Sequence, residues 1–133
     1  MNIYRLIPFL FISLTLHAQL SVEVLPINVG VQKAIIPLKL QNHLSNRVDA
    51  ARAVCFLLDQ NGKVVAQATR WVIGQKAPTL DPQEKSTFNF IVSGPQPFLT
   101  TNLMAKVSFT RLILATNIIG DVKKDIKVTT IQN

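Results

Sequence analysis

Past residue 18, this chain of 133 residues holds one cysteine, Cys55, and one histidine, His43. Together they are the only residues with the chemistry of an activated thiol and its base. Such a pair needs an exposed, ionisable sulfur within hydrogen-bonding reach of the imidazole. Cys55 stands in AVCFLLD among apolar neighbours and reads as a small buried hydrophobe. His43 stands in a polar connection and reads as an ordinary loop residue. Serine chemistry would rest on the same His43, and the chain has no nucleophile-elbow sequence. One Cys and one His cannot build a structural zinc site. Asp59-Gln60-Asn61-Gly62 resembles the start of a calcium loop, but its glycine comes too early and no Glu closes it. The seven acidic residues are scattered and form no specific pair for glycoside chemistry. No catalytic residue, metal ligand or cofactor is expected, and the chain reads as non-enzymatic.

Binding chemistry is sparser than the charge suggests. The formal net charge is +7, which favours acidic partners. The basic residues are spread out, however, and only Lys123, Lys124 and Lys127 cluster, with Asp121 and Asp125 among them. That cluster reads as a solvated strand face. A nucleic-acid groove needs concentrated base and interleaved aromatic rings, so nucleic acid is not an expected partner. Lys39, Lys106 and Lys127 alternate outward from core positions and are expected to share a basic sheet face. Trp71, the only tryptophan, is expected to anchor the core; exposed, it would be a sugar platform. These three lysines and Trp71 are the candidate binding residues.

The elements that must position these residues begin after a leader. Met1 to Arg5 carries one positive side chain, Leu6 to Leu16 is uncharged and apolar, and small Ala18 follows. This is the layout of a secretory signal over residues 1–18. The run is shorter than the roughly 20 residues of a permanent span, so no membrane span is expected after cleavage. The expected setting is export: periplasm, cell surface or medium. A lone cysteine makes no internal disulfide, so residues 19–133 must fold on their core alone, which about 115 residues allow.

That region reads as strands and turns. Leu20, Val22 and Val24 alternate with polar residues, as do Ile36, Leu38 and Leu40. Pro37 lacks a ladder donor, which predicts a sheet edge or bulge for the second run. Ala53 to Leu58 is nearly continuously apolar, as in a strand covered on both faces. Asn61-Gly62 then predicts a hairpin into Val64 to Ile73, because both residues tolerate positive φ. Gly74 to Pro78 is a loop, and Leu80-Asp81-Pro82 a turn. Phe88, Phe90 and Val92 mark the next strand, followed by Ala105, Val107 and Phe109. A separate short strand is expected over Leu112 to Ile119, and a last one holds Ile126 and Val128. About seven or eight short strands without a helix predict an all-β chain, an immunoglobulin-like β-sandwich of one domain.

The stretch VCFLLDQNGKVV followed by LDPQEKSTFNF resembles the FxLYD family of bacterial exported domains. Leu57 and Asp59 match the naming motif, while Cys55 stands at its Phe and Leu58 at its Tyr. Gly62, Val64, Val65, Leu80, Pro82, Phe88 and Phe90 match the remainder, and the resemblance runs from Leu38 to Phe109. It implies an immunoglobulin-like or fibronectin-III-like sandwich in an exported setting and brings no catalytic residues. The expected function is a binding or structural module acting on a protein or cell-envelope partner. The alternatives are a periplasmic chaperone-like assembly accessory and a carbohydrate-binding module.

Overall fold

The computed structural model describes residues 17–131. The signal segment read at 1–18 lies outside these residues apart from His17 and Ala18. The strands are β1 (Leu20–Val24), β2 (Asn28–Val29), β3 (Lys33–Asn42), β4 (Val48–Leu58) and β5 (Val64–Ile73), then β6 (Lys85–Ser93), β7 (Met104–Leu114), β8 (Ile118–Ile119) and β9 (Ile126–Thr130). One 3-10 turn, Ala115–Asn117, is the only helical element among the described residues. No helix there is long and apolar enough to cross a membrane.

Two sheets result. The first joins β9, β1, β3 and β6, with β2 also on β3; the second runs β5-β4-β7-β8. Side chains of a strand alternate between faces, so period-2 runs give each sheet one apolar face. Leu20, Val22 and Val24 of β1, Ala34 to Leu40 at alternate positions of β3, and Phe90 and Val92 of β6 supply one side of the core. Ala51, Ala53, Cys55 and Leu57 of β4 and Val107, Phe109 and Leu112 of β7 supply the other. Sequence neighbours separate between layers, with β3 pairing β6 and β4 pairing β7. This is the crossed pairing of an immunoglobulin-like sandwich. The all-β expectation stands, with seven strands of five or more residues and two of two residues.

Several local expectations are corrected. Pro37 lies in β3, the centre of its sheet rather than an edge, with β6 along one side throughout. β1 and β2 share the other side as two pieces of one broken strand. The Leu25 N–H donates to the Pro37 carbonyl at 2.9 Å. N–H and C=O of one residue face the same edge in such a ladder, so the Pro37 nitrogen faces the break at Leu25 to Ile27. The missing donor falls where the neighbouring strand is interrupted.

The β4–β5 hairpin forms, but not as a turn with two left-handed residues. Only Gly62 has positive φ, 80°. The Asp59 carboxylate accepts the N–H groups of Asn61 (2.9 Å) and Lys63 (3.0 Å), and Gly62 N–H donates to the Asp59 carbonyl. This is a three-residue loop closed by a left-handed glycine. Leu112 to Ile119 is likewise not one strand. Its first part continues β7, and Thr116 (φ 63°) and Asn117 (φ 60°) then turn the chain into β8.

One buried polar residue ties the loops at one end together. Asn42 is wholly buried. Its amide donates to the carbonyls of Asn46 (2.9 Å) and Leu80 (3.0 Å) and accepts the Leu44 N–H at 2.9 Å. Leu80 is held further by a two-way backbone bridge with Val48, at 2.8 and 3.0 Å. The Leu80-Asp81-Pro82 turn read from sequence is thereby fastened to the start of β4. Glu84 N–H closes it onto the Asp81 carbonyl, with Gln83 at φ 70°.

Candidate functional site

The thiol and the imidazole are not brought together. Cys55 points inward from the middle of β4, wholly buried between Ala68 of β5 and Val107 of β7. Burial pushes its thiol pKa up to about 12, which keeps it protonated and unreactive. His43 is exposed on the β3–β4 connection. Cys55 lies seven residues beyond Val48, where β4 begins, or about 23 Å along an extended strand. Among the described residues no three His, Cys, Asp or Glu side chains converge as metal ligands.

The three candidate lysines do not share a face. Lys39 of β3 is in register with Glu23 and Thr87, and Lys127 of β9 with Ser21, all on the outer face of the first sheet. Lys106 is in register with Phe56, on the outer face of the second sheet. The expected single basic face is therefore split across opposite sides of the sandwich. The Lys123–Lys124 pair is not on a strand either. Asp121 gathers it into a turn, its carboxylate accepting the N–H groups of Lys123 (2.9 Å) and Lys124 (3.2 Å). Asp125 accepts the Asp121 N–H and, at 2.9 Å, an N–H of the His17 ring. The His17 hydrogen bond holds the Asp125 carboxyl below the usual carboxylate range.

Trp71 is not a core anchor. It is half-buried on the outer face of the second sheet, in register with Arg52 of β4. The Arg52 guanidinium lies over the indole, 5.5 Å from the ring centroid, a cation–π contact worth about 0.5–1 kcal/mol at such a site. Two bulges aim this pair. The β4–β5 register shifts between Ala51 and Arg52, and the β4–β7 register between Arg52 and Ala53. The extra β7 residue at the second bulge is Thr110, whose hydroxyl accepts Arg52 Nε–H at 3.1 Å. A bulge re-aims a side chain in this way.

The same face continues from Arg52 along β4 through Val54, Phe56 and Leu58. All three are half-buried, and among the described residues no second layer lies over them. Β-register places Gln67 and Lys106 beside Phe56, Thr69 and Ser108 beside Val54, and Met104 beside Leu58, with Met104 57% exposed. Arg111 is in register with Arg52. Across these rows the face has an apolar centre, three cations and no carboxylate. The run Ala53 to Leu58, read as covered on both faces, is covered on one. Sequence reasoning missed Arg52, Phe56 and Thr110. The available signal was the outward set Arg52, Val54, Phe56 and Leu58, too apolar for a face meeting only water.

No family model matches the chain, and no curated protein matches it. Among solved structures, part of a β-glucuronidase from glycoside hydrolase family 2 is similar to it, with a TM-score of 0.41 and 19% identity. The match covers 74% of this chain and 10% of that one, so the chain spans about a tenth of that protein's length. A likeness of this size carries no activity across. The class of the chain, an all-β sandwich module, rests on its own two sheets.

Proposed function

We propose that the chain is a non-enzymatic, exported β-sandwich that binds a protein partner of the cell envelope through the outer face of β5, β4 and β7. The observation that carries this reading is the row Val54, Phe56 and Leu58 with Met104 beside it, lacking a carboxylate and bordered by Arg52, Lys106 and Arg111. An apolar centre with a polar rim is the composition of a protein contact. Export is supported by the leader-like residues 1–18 and by the FxLYD-like stretch.

The test is affinity capture from envelope and culture fractions, using a chain that starts at Gln19. The wild type is expected to retain one salt-stable protein, and Phe56→Glu to lose it while unfolding at a similar denaturant concentration. Equal capture by both forms, or salt-sensitive retention on envelope polysaccharide alone, refutes this reading. The position of Trp71 outside the core favours carbohydrate binding as a second reading. A sugar ring stacking on the face that Arg52 covers would displace the guanidinium. A Trp71 fluorescence change on titration with envelope polysaccharide, together with a calorimetric binding heat that Trp71→Ala abolishes, would support it.

A further inference from the structure

In an immunoglobulin-like sandwich the last strand lies beside the strand that is β7 here. In this chain the last strand, β9, instead runs parallel to β1 in the other sheet, from Leu20↔Ile126 to Val24↔Thr130. The far edge of β7 is covered only near its end. There β8 pairs with Ile113 and Leu114, and the Gly120 N–H donates to the Leu112 carbonyl at 2.9 Å. From Met104 to Arg111 that edge carries no strand among the described residues, about 24 Å of backbone. The opposite flank is closed more fully, because β5 and β6 lie against each other along it, whereas β9 approaches β7 only in part and pairs with β1 instead.

Three observations indicate what this edge takes. First, the core beside it is incompletely covered. Val107 and Phe109 of β7 keep 8% and 7% exposure, while Ala53, Cys55 and Leu57 on the neighbouring β4 have none. Val128 of β9 shares its face with the wholly buried Val22 yet is 37% exposed. Second, a groove of mixed lining opens at the Met104 end, between β7 and the β1–β2 break, with Leu25, Ile27, Val29, Leu103 and Ile131 on its apolar side and Lys106 among its polar residues. Third, the outward side chains along the edge include Lys106 and Arg111, with no acid in register beside them.

We propose that the Met104–Arg111 edge of β7 is a strand-addition site for an extended partner segment with alternating apolar and acidic residues. The proposal rests on the protein-binding reading and names the partner's chemistry. Main-chain hydrogen bonds supply the affinity, and alternate side chains supply the choice of partner. The apolar set lies over Val107, Phe109 and Val128, and the acidic set lies beside Lys106 and Arg111. A second copy of this chain fits poorly, because antiparallel β7 edges would bring the two basic rows together, and like charges across strands repel.

The test uses the chain from Gln19 and a capped eight-residue peptide of alternating valine and glutamate. Binding is followed by calorimetry and by amide exchange in nuclear magnetic resonance. The expected result is new protection confined to β7 amides between Met104 and Arg111. The double variant Lys106→Glu, Arg111→Glu should weaken binding by about tenfold or more, as should a valine–lysine peptide. N-methylation along one edge of the peptide should abolish binding, and methylation along its other edge should not. Failure of the peptide to bind, indifference to methylation of either edge, protection on another strand, or dimerisation of the chain through β7 would each overturn the proposal. A partner captured in a Phe56-dependent way that leaves the β7 amides unprotected would refute edge addition and leave the face reading standing.

Discussion

Replacing Asn42 should destabilise the sandwich in a way that depends on the chemistry of the replacement. In Asn42→Ala the Leu44 N–H, on a residue only 8% exposed, loses its 2.9 Å acceptor. An orphaned buried donor costs about 1–3 kcal/mol. The Leu80 carbonyl keeps the Val48 N–H at 2.8 Å, and Asn46 is exposed enough to meet water, so those two losses are smaller. The total should be about 2–3 kcal/mol, including the space left by the amide. Asn42→Asp separates donor from acceptor. Its carboxylate can still accept the Leu44 N–H but turns an oxygen toward the Leu80 carbonyl, uncompensated and away from water. Its folded-state pKa is therefore raised above the unfolded value of about 3.9. For a raised group, stability is retained below the unfolded pKa and lost as pH rises through the folded one. The Asp variant should be the weaker of the two near neutrality and recover in acid, where a protonated carboxyl can donate to Leu80. Urea unfolding followed by Trp71 fluorescence at about pH 7 and about pH 4.5 reads both effects. A loss below about 0.5 kcal/mol in Asn42→Ala, or an equal deficit for Asn42→Asp at both pH values, would refute the reasoning.

The remaining predictions concern the backbone and the buried thiol. Gly74 has φ 84°, and a Cβ there would meet the Asp49 carbonyl and Ala50. Gly74→Ala should cost about 2–3 kcal/mol in the same urea assay, since both the conformation and the space are wrong for a side chain. Thr116 is an exposed β-branched residue at φ 63°, ψ 32°. Thr116→Asn should gain about 0.5–1 kcal/mol and raise the melting temperature, because Asn tolerates the left-handed region better. Burial pushes the Cys55 thiol up to about 12 in the folded chain, well above the usual thiol range, so the unfolded chain gives up this proton first. Above pH 9 its contribution to stability should fall by about 1.4 kcal/mol per pH unit, and Cys55→Ala should flatten that slope in alkaline urea titrations. Iodoacetamide should label Cys55 at the rate of unfolding rather than at the rate of a free thiol.

Much of the architecture was legible because strand patterning is local. Leu20-Val22-Val24, Ile36-Leu38-Leu40 and Val107-Phe109 declare their buried face by alternation, and Gly62 and Pro82 mark turns by φ alone. A buried Cys55 and a loop His43 were readable for the same reason, since each follows from immediate neighbours. Which sheet a strand joins is a different kind of fact. Alternation shows that Lys39, Lys106 and Lys127 point outward, but not that they leave from opposite faces. Pro37 looked like an edge residue because its tolerance depends on a break in another strand, at Leu25 to Ile27. Trp71 moved outside because two bulges flanking Arg52 set its register, and a one-residue slip exchanges the faces of a strand. The free edge of β7 follows from β9 pairing with β1, a choice between two distant partners that no local pattern records. The sequence by itself determined where most strands lie and, where alternation is regular, which side chains each one hides. Tertiary structure alone decided which outward rows share a face and which edge stays unpaired, because both depend on pairings between residues far apart in the chain.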